Sequence, residues 1–237
     1  MTGTKAKVIG PLAWALFDGA RAPYNVLVNI FIFSAYFTTV VVADSLHGQV
    51  LWSYTSSVGA LLVALGAPVL GAIADAGGRR KPWLAATLVV GIPSMCMLWF
   101  AVPAMSQGLG WILAALVGGM LFFEYSAIFC NAMLPNVAPR KIGFWSGMGY
   151  SLGNCSGVIL FIFFLLAWSW NPHPLVGMEP ARHEPERAVG LLAALWMLVF
   201  GLPLFLFTPD SPGTQVGVAQ AVREGMGRLA ATLRRLG

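Results

Sequence analysis

Six apolar runs, each long enough to cross a bilayer core of about 30 Å, limit what this chain can fold into more than any other feature. They lie at roughly 12–42, 50–74, 82–102, 109–134, 144–168 and 188–207. Backbone groups cannot go unpaired in lipid, so such runs must be helices or strands of a closed barrel. No ten-residue dyad alternation of the barrel type is present. The expected fold is all-α: a polytopic six-helix transmembrane bundle over 12–208, with a short tail at 1–11 and a second at 209–237. Composition agrees, since 58% of the residues are hydrophobic and only 10% charged, with a mean hydropathy of +0.76. A soluble core of this size cannot absorb that much apolar surface.

The net charge of +5 is explained by where the cations fall. Of fourteen Lys and Arg, eleven lie on one side of the six runs: Lys5, Lys7, Arg79, Arg80, Lys81, Arg140, Lys141, Arg223, Arg228, Arg234 and Arg235. Arg182 and Arg187 lie on the other side, and Arg21 lies inside the first run. The positive-inside rule then puts both termini in the cytoplasm, and no nucleic-acid role is expected. Cys96, Cys130 and Cys155 all sit in apolar runs, which argues against a secreted disulfide framework. The first run is too long for a cleaved signal and reads as an anchor.

Breakers and flanks give local expectations. Pro23 should kink the first span, and Pro135 should close the fourth. Residues 169–187 read as an irregular outer loop, where His173 and His183 have no partners at metal-ligand spacing. Trp14, Trp52, Tyr54, Trp83, Trp99, Trp111, Trp168 and Trp170 suit interfacial anchoring. In the tail, Val218, Val222, Met226, Leu229, Leu233 and Leu236 recur at steps of three and four beside four arginines. That pattern is a basic amphipathic helix lying on the inner surface, or a linker to a further domain.

Charges inside spans cost about 2.5–3.5 kcal/mol each even on lenient scales, and they usually face a bundle interior or wet cavity. Asp18 and Arg21 lie one turn apart in the first span, and Glu124 lies in the middle of the fourth. Together with Tyr24, Asn25 and Asn131 they are the candidates for a substrate or proton path, Glu124 being the candidate proton carrier. The bland alternative for Asp18 and Arg21 is a buried pair that holds helices in register. Gly149, Gly153 and Gly157 repeat at intervals of four in the fifth span, a helix-packing pattern. No P-loop, H-E-x-x-H, G-x-S-x-G or Cys–His constellation is present, so neither an enzyme nor a cofactor is expected.

Between the second and third runs lies Gly71-Ala-Ile-Ala-Asp75-Ala-Gly-Gly78-Arg79-Arg80-Lys81. Gly71, Asp75, Gly78, Arg79 and Arg80 fit a cytoplasmic charge latch, in which Asp75 accepts from a neighbouring helix or its N-terminus and Arg79 and Arg80 grip acids elsewhere. The stretch resembles the loop motif G-x-x-x-D-R-x-G-R-R/K of the major facilitator superfamily, with Ala76 in place of the usual arginine. Trp14-Ala-Leu-Phe-Asp18, Ile128-Phe-Cys-Asn131-Ala-Met-Leu-Pro135 and Ile142-Gly143-Phe-Trp-Ser146-Gly147-Met-Gly149 resemble the vacuole-effluxer-like branch. That branch often shows Asn-Ser-Ala where this chain has Arg21-Ala22-Pro23, and Tyr where it has Cys130.

The resemblance implies one six-helix half of a twelve-helix transporter, set in a bacterial inner membrane and moving a small solute such as an amino acid by alternating access. Its expected partners are the lipid bilayer, the small-molecule substrate and a C-terminal six-helix half or a partner membrane subunit. The rival expectation is a non-transporting, facilitator-derived subunit that scaffolds a membrane complex. Sidedness can be tested in a background free of Cys96, Cys130 and Cys155. A membrane-impermeant thiol reagent applied to intact cells should label Ser106→Cys and leave Gly78→Cys unlabelled until the cells are opened.

Overall fold

The computed structural model describes residues 2–75, 78–169, 177–210, 220 and 223, with side chains from residue 9 and without that of residue 169. The tail stripe, Ala76, His173 and Trp170 lie outside the described residues. Within them there is no strand, and six helices are long and apolar enough to cross a membrane: Ile9–Val41, Ser45–Asp75, Lys81–Phe100, Leu109–Val137, Ile142–Trp168 and Glu184–Phe207. They are called the first to sixth spans below.

Consecutive spans run in opposite directions. The 2–3 hairpin meets the end of the sixth span, where the Arg80 amide donates to Asp210. That same end meets the start of the first span, where the Thr208 hydroxyl donates to the Gly10 carbonyl at 3.1 Å. At the opposite end, the amides of Ala104 and Met105 donate to the carbonyls of Val40 and Val41 at 2.9 and 2.8 Å. The first and fourth spans are the most enclosed. The first packs on the fifth, sixth and fourth spans, and Trp14, Phe17, Tyr24, Leu27, Val28, Phe33 and Phe37 are almost fully covered.

Prolines act differently from one span to the next. α-Helical geometry ends at Pro23 and passes into a π-helical stretch, Tyr24–Phe31, in which Ile32 donates five residues back to Leu27. A proline that removes one N–H and crowds the preceding turn favours such local rewinding. Pro135, by contrast, does not close the fourth span, which runs on to Val137. One missing N–H is tolerated because the flanking bonds, including Ala138 to Leu134, remain. The sixth span begins earlier than hydropathy suggests. Glu184 and Glu186 occupy its first turn, where carboxylates favour the positive helix end, and Pro185 needs no intrahelical partner there. The outer loop is accordingly shorter than 169–187.

The fifth span's glycines lie directly against the first span. A Cβ on Gly149 would lie 2.7 Å from Asp18 Oδ2, one on Gly153 3.1 Å from Ala22 Cβ, and one on Gly157 2.7 Å from Val26 Cγ2. Both series step by four, so the two ridges register turn for turn. The Ser156 hydroxyl seals the contact by donating to the Gly19 carbonyl at 3.0 Å. A methyl group added at Gly147, in the same span, would meet nothing within 4 Å. Gly157→Leu should therefore lower stability in detergent by about 1–3 kcal/mol, an ordinary overpacking cost, while Gly147→Leu leaves it within about 0.5 kcal/mol. Thermal melts of the two variants check this.

Candidate functional site

Three long polar side chains of the first span reach across to backbone carbonyls of the fourth. Trp14 Nε1 donates to Cys130 at 2.6 Å, Arg21 Nη1 to Phe123 at 2.7 Å, and the Tyr24 hydroxyl to Leu116 at 3.3 Å. The acceptors fall at residues 116, 123 and 130, two helical turns apart, so all three lie on one stripe of the fourth span. Trp14 is fully buried. It bolts two helices together and is not the interfacial anchor its position suggests.

Arg21 forms the centre of this seam. Its Nη2 contacts Asp18 Oδ1 at 2.6 Å, and both side chains are at least 85% covered. Its guanidinium also lies 5.2 Å from the Phe123 ring centroid, a favourable cation–π position. Only Nε, itself buried, has no partner. The other Asp18 oxygen faces the gap left by Gly149. Arg21 and Asp18 thus neutralise each other within the packed seam, and Tyr24 belongs to the same seam.

Glu124 is placed otherwise. It is half-buried near the midpoint of the fourth span and makes no hydrogen bond or ion pair among the described residues. One turn away on its face, Met120 lines a small recess with Asn29, Trp52, Thr55, Ser56 and Leu116. Its volume of about 20 Å³ suits a single water. Asn29 Nδ2 donates to Asn25 Oδ1 at 3.1 Å, so the two amides form one polar step within the π-helical stretch. The sequence reading singles out Asn25 and passes over Asn29, although an amide four residues on, in an otherwise apolar run, carries the same signal. Asn131 is exposed two turns from Glu124 towards the end of the fourth span. The path candidates therefore divide: Asp18, Arg21 and Tyr24 in the seam, Asn25 and Glu124 near the recess, Asn131 beyond it.

The charged hairpin makes different contacts from those expected of a latch. Asp75 and Arg79 are exposed and make no hydrogen bond or ion pair among the described residues. Gly71 and Gly78 have no atom within 4 Å of an added Cβ. Arg80 instead holds the end of its own preceding helix, with Nε and Nη2 donating to the Ala74 carbonyl at 3.2 and 3.1 Å. Lys81 Nζ does the same for the sixth span, donating to Phe205 at 2.8 Å. Asp210 closes the arrangement by accepting from the amides of Arg80 and Lys81 at 3.0 and 3.3 Å. Cations thus meet the negative ends of two helices, and a carboxylate meets the positive end of a third. Sequence reasoning misses Asp210 because a cap supplied from about 130 residues away leaves no local pattern.

These features define a facilitator-type integral membrane protein: six spanning helices, a basic hairpin between the second and third, and an isolated acid in the fourth. A family profile described as "Vacuole effluxer Atg22 like" matches residues 27–144. The chain is also 27% identical over 161 residues to the uncharacterized MFS-type transporter YxiO of Bacillus subtilis (strain 168). That match takes in 63% of this chain and 35% of the relative, so the chain spans about a third of the relative's length. No solved structure matches. The chain belongs to the vacuole effluxer Atg22-like family of the major facilitator superfamily.

Removing one member of a buried pair leaves the other charge stranded, at a cost of about 3–5 kcal/mol. Asp18→Asn and Arg21→Gln should each destabilise the bundle by that order. The double substitution should cost less than the sum of the two, which a thermal double-mutant cycle in detergent measures.

Proposed function

We propose that this chain forms one six-helix half of a secondary transporter that moves a small solute by alternating access. Glu124 is then the contact point for a proton or for a cationic group of the solute. The observation that carries this reading is the contrast between the two deep acids. Asp18 has its countercharge at 2.6 Å. Glu124 has none among the described residues, although it sits where an unpaired charge is most costly. A transport cycle supplies what the folded chain does not, because a proton or cation arriving at Glu124 neutralises it in one state and leaves it in another.

In this reading Asn25, Asn29 and the recess beside Met120 are the polar lining next to Glu124. Asp18 and Arg21 keep the first and fourth spans in register. The Arg80–Asp210 junction is the cytoplasmic latch, and its helix-end contacts are remade when the bundle rocks. The efflux named in the family's description, together with the naming of the Bacillus relative as a transporter, supports export of a small solute; an amino acid is the candidate that the sequence resemblance implies. The second half of the machine is a further six-helix unit that faces this one.

The test uses the complete protein in proteoliposomes, with a mixture of radiolabelled amino acids and an imposed pH gradient. Glu124→Gln should reduce gradient-driven flux by about tenfold or more, since an amide can neither carry a proton nor pair with a cation. Glu124→Asp should retain part of the flux. Wild-type flux in Glu124→Gln would overturn the assignment.

A further inference from the structure

The second and third spans both lean on the fourth and hardly on each other. This leaves a cleft of about 250 Å³ between them, floored by the fourth span. Leu70 comes from one wall, Trp83 and Val90 from the other, and Phe122 and Phe129 from the floor. Trp83 stands two residues into the third span and stacks on Phe129 with ring centroids 5.9 Å apart and planes 10° apart. Leu70 stands five residues before Asp75, where the second span ends. The cleft therefore begins at the hairpin end of the bundle. Seven residues separate Trp83 from Val90, so it runs about 10 Å towards the membrane centre.

The lining selects its occupant. Thr87 already donates to Leu84 at 2.7 Å, and the Tyr125 hydroxyl already donates to the Leu62 carbonyl. Neither hydroxyl offers a free proton, so water gains little there and hydrocarbon gains most. A helix is about 10–12 Å across, too wide for a cleft of this volume, whereas part of one slender acyl chain can lie along it. Charge at the mouth completes the choice. Arg79, Arg80 and Lys81 come just before Pro82 and Trp83. Arg80 and Lys81 direct their side chains to helix-end carbonyls, and Arg79 is exposed without a partner among the described residues. A cation at the inner surface attracts anionic headgroups.

We propose that this cleft binds one acyl chain of an anionic phospholipid, with the headgroup held at Arg79. The site lies on a different face of the fourth span from Glu124 and does not depend on the transport reading. Its place beside the hairpin would let the lipid bias the junction formed by Arg80, Lys81 and Asp210.

The test reconstitutes the complete protein in phosphatidylcholine nanodiscs with a trace of phosphatidylglycerol that carries a photoreactive group in its acyl chain. Adducts are then mapped by peptide mass spectrometry. They should concentrate on peptides containing Trp83–Val90 and Phe122–Phe129. Unlabelled phosphatidylglycerol should compete about fivefold better than phosphatidylcholine, the ratio one interfacial cation supplies. Ala86→Trp, which fills the cleft, should lower these adducts by at least about fivefold, and the milder Ala86→Leu should lower them less. Arg79→Gln, at an exposed site that folding does not depend on, should abolish the headgroup preference while leaving acyl adducts in place. Adducts spread evenly over the lipid-facing spans would overturn the proposal, as would equal competition by the two lipids. An unchanged headgroup preference in Arg79→Gln would overturn it as well.

Discussion

Arg21 is the residue on which the arrangement of this bundle depends. A guanidinium at that depth is costly unless its donors find acceptors and its charge a partner, and both conditions shape the neighbouring helices. Asp18 supplies the charge from one turn away, and the Phe123 carbonyl supplies an acceptor from the fourth span. Asp18 in turn needs space, which Gly149 leaves by having no side chain. One ion pair therefore ties the first span to the fourth through a hydrogen bond and to the fifth through an absence of volume. Trp14 and Tyr24 extend the same seam in both directions, using further carbonyls of the fourth span. Lipid tails give helices no hydrophobic reason to associate, so close packing and such hydrogen bonds carry the association.

The same economy of polar groups explains the hairpin end. Helix termini leave unpaired amides and carbonyls. Here Arg80 and Lys81 satisfy the ends of the second and sixth spans, while Asp210 satisfies the start of the third. Three helix ends are thus joined by side chains that contact backbone. A junction built this way ties the second, third and sixth spans together at one end of the bundle and leaves Asp75 and Arg79 exposed.

The sequence announces its spans clearly because hydropathy over about twenty residues is a strong, local signal, and the six helices fall close to the apolar runs. What local reading cannot supply is the partner of a side chain. Trp14 looks like an interfacial anchor because indoles are common there; only the tertiary contact with Cys130 shows that it is internal. Asp210 follows the sixth span as an ordinary turn residue, and the amides it caps belong to a hairpin far earlier in the chain. Pro135 looks like a stop because a proline removes a donor, yet a long helix held by its neighbours survives the loss of one. Asp18, Arg21 and Glu124 are all recognisable as deep charges. Which of them is already neutralised is not, since pairing depends on side-chain direction as well as spacing.

That distinction bears on mechanism. Charges inside a membrane protein are usually grouped as functional, but the two acids here do different work for a physical reason. Asp18 is fixed at 2.6 Å from a guanidinium that is itself bonded to backbone, so the pair belongs to the packing of the seam. Glu124 makes no hydrogen bond or ion pair among the described residues, and it is there that the proposed cycle would bring a proton or a solute cation. The group free to change state is the one the fold leaves uncompensated. A seam that is rigid at Arg21 and an acid that is free one residue beyond Phe123 place a fixed element and a switchable one side by side on the fourth span. On the proposed transport reading, a change of charge at Glu124 would act beside the first span without breaking the contacts that hold the two together.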